Sequence, residues 1–96
     1  MHEKFEFRRQ IDGLVYVFER RAGLGTAAVY ERSDQMVRVI HDARFGWSTW
    51  NSDDGSLSGR VWDTLPEDQG DFPTEGTWVS RKGAKSYVYE LVYVVG

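Results

Sequence analysis

Residues Ser86 to Val95 read SYVYELVYVV. Tyr87, Tyr89, Leu91, Tyr93 and Val95 alternate with Val88, Glu90, Val92 and Val94. That period of two, carried by aromatic and β-branched residues, belongs to a strand and not to a helix. Both alternating sets are mostly apolar, so the strand is expected inside a sheet with both faces covered. Thr77 to Arg81 (TWVSR) precedes it, and Lys82 to Lys85 (KGAK) reads as a four-residue hairpin loop between the two.

The same period recurs toward the N-terminus. Phe5 and Phe7 alternate with Lys4, Glu6 and Arg8, giving a half-buried strand over residues 3–9. Gln10 to Gly13 (QIDG) is a turn, with Asp12-Gly13 a favoured hairpin dipeptide. Leu14 to Phe18 (LVYVF) is apolar on both faces and reads as a covered central strand ending at Glu19-Arg20-Arg21. Thr26 to Arg32 is a shorter strand. Met36 to Phe45 places Val37, Val39, His41, Ala43 and Phe45 on one face and mostly charged residues on the other. Trp47 to Trp50 and Ser58 to Asp63 are two further short strands, separated by the turn Asn51 to Gly55. Pro66-Glu67-Asp68 reads as one helical turn with Thr64 as its cap. The expected fold is all-β: a small antiparallel β-barrel or sandwich of six to eight strands with one long acidic loop.

Ninety-six residues suffice for one domain, read as residues 1–96, with a modest core. Each aromatic side chain buries about 150–250 Å², so the fourteen present fill much of such a core. There is no cysteine, which removes disulfides, thiolate metal sites and a cysteine nucleophile together. The charged start MHEKFEFRR lacks the apolar run of a signal peptide, and no apolar stretch reaches the ~18–20 residues of a membrane helix. The expectation is a cytoplasmic protein with no membrane partner.

Gly46 to Gly76 differs from its surroundings. It holds three of the four tryptophans, both prolines and seven of the fifteen acidic residues, against one basic residue, Arg60. Trp47 and Trp50 are three apart, so in a strand they face opposite ways; Trp62 likewise opposes Val61. Exposed tryptophans are favoured interface anchors. Trp47, Trp50, Trp62, Glu67, Asp68 and Asp71 are therefore the candidate binding residues, for a partner protein with a basic surface. The alternative is a small-ligand or carbohydrate binder with Trp50, Trp62 or Trp78 as its platform.

Other chemistries find less support. Asn51, Asp53, Asp54 and Gly55 fail the EF-hand spacing, which would require Trp50 as first ligand and Val61 at position twelve. Gly23-Leu24-Gly25 lacks the third glycine and the Lys-Ser/Thr pair of a phosphate loop. His41 has no visible nucleophile, and its neighbour Asp42 points to the opposite face, so no catalytic residue, metal or cofactor is assigned. Arg8, Arg9, Arg20 and Arg21 do not form one patch, and interleaved Glu3, Glu6 and Glu19 oppose a nucleic-acid face.

Overall fold

The computed structural model describes residues 3–94, and within them eight strands form one closed barrel. They are β1 (Lys4–Arg9), β2 (Val15–Ala22), β3 (Val29–Arg32), β4 (Val37–Asp42), β5 (Gly46–Asn51), β6 (Leu57–Val61), β7 (Gly76–Lys82) and β8 (Lys85–Tyr93). Each strand pairs antiparallel with the next, and β8 returns to pair with β1, Phe5 opposite Tyr93 and Phe7 opposite Leu91. Closure leaves no free sheet edge. The alternation seen in the sequence becomes inside against outside. Directly paired residues share a face, so Phe7 with Tyr16, Phe5 with Phe18, Tyr30 with Val39, Thr49 with Gly59 and Trp78 with Tyr89 all point inward.

Rings build the interior. Phe5 stacks on Phe18 with centroids 5.1 Å apart, and Phe7 contacts Trp78 at 5.0 Å and Phe18 at 4.9 Å. Ala28, Val39, Tyr30, Trp47, Tyr89 and Leu91 complete the buried set. Glu6, Arg8, Glu19, Arg21, Glu31, Arg38, Arg60 and Glu90 point outward, with Glu6 and Arg8 paired at 3.1 Å. These charges stand on six of the eight strands, where the outer wall keeps them hydrated. Among the described residues no helix is long and apolar enough to cross a membrane.

Several expectations change. The Met36–Phe45 strand ends at Asp42, with residues 43–45 in a turn, and Thr26–Arg32 is a strand only from Val29. Neither β8 nor the LVYVF stretch is covered on both faces: Glu90 is exposed, and Leu14 and Val15 are 42% and 43% exposed. In a single closed sheet the second apolar set lies on the outer wall. Val95 lies outside the described residues. The hairpin at KGAK is tighter than expected, since β7 runs to Lys82 and β8 starts at Lys85. Pro66–Asp68 does form one 3-10 turn, but the residue before it is Leu65 and no side chain caps it. The Thr64 carbonyl instead accepts from Gln69 Nε2 at 3.1 Å.

Four aspartates hold the turns. Asp12 Oδ1 accepts the Leu14 amide, Asp34 Oδ1 the Met36 amide, Asp42 Oδ1 the amides of Arg44 and Phe45, and Asp54 Oδ1 the Ser56 amide. Such side-chain turns fix the chain reversal locally. Arg9 grips Asp12 through two nitrogens at 3.0 and 2.7 Å and lowers its pKa to about 2. Arg32 lowers Asp34, the Arg44 amide lowers Asp42, and the Ser56 hydroxyl lowers Asp54. A carboxylate depressed in the folded state stabilises it above the unfolded value, ~3.9, and that stabilisation disappears as pH falls through the folded value. The urea midpoint should therefore stay level above about pH 5 and drop between about pH 4 and pH 2. Asp12→Asn should make that acid drop shallower. A midpoint unchanged down to the acid end of that window would contradict this account.

Candidate functional site

The meander puts the turns after β1, β3, β5 and β7 at one end of the barrel and the connections after β2, β4 and β6 at the other. The two ends are finished differently. The long acidic connection, residues 62–75, folds under the second end and closes it. Gln69 Oε1 accepts the Trp47 backbone amide at 2.7 Å. The Trp47 indole donates to the Gly70 carbonyl at 3.0 Å, and the Trp78 indole donates to the Thr74 carbonyl at 2.7 Å. The Tyr93 hydroxyl donates to the Pro73 carbonyl, and Pro73 is fully buried. Burial pushes the Tyr93 phenol well above the usual tyrosine range, so it remains a donor. Gly46 at φ +72° is needed here, because a Cβ would sit 2.5 Å from Gln69 Oε1.

At the first end the barrel stays open. A cup of about 560 Å³ descends from the turns to Phe7, Phe18, Thr49 and Tyr89. That volume lies within the range of small-molecule sites, roughly 300–1,000 Å³. The void has a plain cause. Strands β1, β2 and β8 present rings at this level: Phe7, Tyr16, Phe18, Tyr87 and Tyr89. Strands β5, β6 and β7 present Thr49, Gly59 and Ser80, which are too small to meet them. Gly59 cannot be enlarged freely, since a Cβ would lie 2.8 Å from both Thr49 Oγ1 and the Val79 carbonyl. A bulge between β5 and β6 brings Ser58 Oγ within 2.8 Å of Thr49 Oγ1, and Ser80 Oγ donates to the Ser58 carbonyl at 3.2 Å. One wall of the cup is aromatic and the other bears hydroxyls.

Two arginines stand at the rim, each fixed from two sides. Arg32 lies 4.4 Å over the Tyr16 ring and is paired with Asp34 through Nε at 2.9 Å and Nη2 at 2.8 Å. Arg9 lies 5.0 Å over the Tyr87 ring, is paired with Asp12 in the same way, and reaches the Tyr89 hydroxyl. Met36, Asp53, Asp54, Arg81 and Lys82 form the outer lip.

The residues singled out in the sequence scatter around the closed end and the outer wall. Trp47, expected among the contact residues, is fully buried and serves as an anchor of the closing segment; Trp78 does the same. Trp50 faces outward but is half-buried, its indole donating to Ser48 Oγ at 2.9 Å beside Phe45. Trp62 is 71% exposed, and Glu67, Asp68 and Asp71 are exposed in the same connection. His41 packs edge-on against Trp47 at 5.3 Å. Among the described residues no group of three histidine or acidic side chains is placed to hold a metal ion. The sequence offers no signal that groups the cup residues; Arg9, Asp53 and Asp54 enter it only through chemistries it does not support. Tyr16, Arg32, Thr49, Ser80 and Tyr87 belong to five different strands and meet only on closure. No protein-family model, no curated protein and no solved structure matches the chain.

Gln69 carries the link between the closing segment and β5 through two hydrogen bonds. Gln69→Ala should cost about 1–3 kcal/mol in urea unfolding, because it strands the buried Trp47 amide. Trp62→Ala should stay within about 0.5 kcal/mol of the parent. Equal stability of the two variants would show that the segment does not brace the barrel.

Proposed function

We propose that this protein binds one small molecule in the open end of its barrel. The observation that carries the reading is the asymmetry of the two ends: one is closed by a dedicated segment, while the other keeps a cup lined by rings and hydroxyls. An eight-stranded barrel is wide enough either to be filled by its side chains or to hold one small ligand, and here small residues on β5, β6 and β7 leave the upper half unfilled. The reading keeps a small-ligand role but moves it away from the tryptophans, since Trp78 is buried and Trp50 is partly covered. N-phenyl-1-naphthylamine, a neutral aromatic probe that brightens in apolar sites, should bind saturably with one molecule per chain. Ser80→Phe, which fills the cup from its small wall, should abolish that signal, and Trp62→Ala should leave it intact. Binding that survives Ser80→Phe, or no saturable binding at all, would reject the reading.

A second reading concerns the closed end. Trp62 and Leu65 are 71% and 61% exposed beside Glu67, Asp68 and Asp71. A large ring within a one-signed surface suits a partner protein with a basic face. Retention on an immobilised arginine-rich peptide should fall on reversing Glu67, Asp68 and Asp71 to lysine, and also on Trp62→Ala. Retention lost with the charges but unchanged by Trp62→Ala would reduce the effect to unspecific attraction and end this reading.

A further inference from the structure

Resting on the ligand-binding reading above, we infer that the cup is selective for a small aromatic acid, its ring in the slot and its carboxylate at Arg32. The slot is the first argument. Tyr16, Phe18 and Tyr89 line one side, and Thr49, Ser58 and Ser80 line the other. A flat ring fits between an aromatic wall and a wall of small residues, where offset or edge contacts are favourable.

The rim is the second. Arg32 is an inward residue of β3, opposite Phe18, so its guanidinium stands over the cup and not on the outer wall. Asp34 engages Nε and Nη2, and the Tyr16 ring supports one face. Nη1 is not used in that pair. The guanidinium is thus held in place before any ligand arrives, so little side-chain freedom is lost on binding. Asp34 itself is a turn residue outside the lining of the cup. Arg9 repeats the arrangement on Tyr87 and Asp12 across the mouth.

Charge is the third. The chain as a whole carries −3. The cup and its rim carry four cations, Arg9, Arg32, Arg81 and Lys82, and four carboxylates: Asp12 and Asp34, paired with Arg9 and Arg32, and the lining residues Asp53 and Asp54. Both lining aspartates are engaged within their own turn: Asp53 Oδ1 accepts the Asp54 amide, and Asp54 Oδ1 accepts the Ser56 amide and hydroxyl. The mouth is thus balanced on a chain that is anionic as a whole, so an anion meets less repulsion there than over the rest of the surface.

The test compares 2-naphthoate with 2-naphthamide, which has nearly the same shape and no charge. Wild-type protein should bind the acid about ten- to a hundredfold more tightly, the range of one charge-assisted hydrogen bond, and added salt should narrow the gap. Arg32→Met should remove most of that preference while leaving amide binding within about twofold. Arg32→Lys, which keeps the charge but not the fork, should lose part of it, and it serves as the variant read if Arg32→Met does not fold. An acid bound no better than the amide, or a preference unchanged in the readable Arg32 variant, overturns the inference and leaves the ligand-binding reading standing if the amide binds. Failure of both compounds and of N-phenyl-1-naphthylamine removes the two together.

Discussion

Everything in this molecule depends on the pairing of β8 with β1. Phe5 opposite Tyr93 and Phe7 opposite Leu91 turn a meander into a ring, and the ring decides which residues can meet. Without that pairing β1 and β8 would be exposed edges, and the β8 run of valines and tyrosines would be a template for unwanted pairing. With it, the aromatics of β1, β2 and β8 face a common interior. The closure also imposes a difficulty. Strands of four to nine residues make a short barrel, and a short barrel has two open ends through which water reaches the core.

The closing segment solves this at one end in a particular way. A loop crossing a core brings backbone carbonyls with it, and buried carbonyls need donors. Two indoles and one phenol supply them: Trp47 to Gly70, Trp78 to Thr74, and Tyr93 to Pro73. Large rings with one polar atom suit the task, because the body packs in the core while the tip reaches the loop. The tryptophans near the acidic segment are therefore largely internal donors. The composition that drew attention to Gly46–Gly76 marks a structural device, with only Trp62 of its three tryptophans left largely in water.

The strands were legible in the sequence because period-two alternation is a local property. Phe5 and Phe7, Val37, Val39 and His41, and Tyr87 through Tyr93 all lie on the expected faces. What could not be read was what each face meets. LVYVF and YVYELVYVV look like covered central strands, since an apolar outer set reads the same whether a second layer lies on it or only partial solvent. Alternation puts Trp47 and Trp50 on opposite faces, as they are in the barrel, yet alone it cannot say which face is inside. The cup was invisible for a deeper reason. It is made by what is missing at Thr49, Gly59 and Ser80 relative to the rings across from them, and a relation between five or six strands has no signature along the chain.

Gly59 shows how the two halves of the molecule are coupled. It sits between Thr49 Oγ1 and the Val79 carbonyl, each 2.8 Å from where its Cβ would be, so the smallest residue is required by the wall itself. The β5–β6 bulge in turn tips Ser58 toward Thr49 and arranges the hydroxyls that face the rings. A wall that must be thin for backbone reasons thus leaves room opposite Phe7 and Phe18, and the same strand pair, through Gly46 and Trp47, holds the closing segment at its other end. The β5–β6 pair thus contributes to both ends, beside β7, which carries Trp78 and Ser80, and β8, which carries Tyr93.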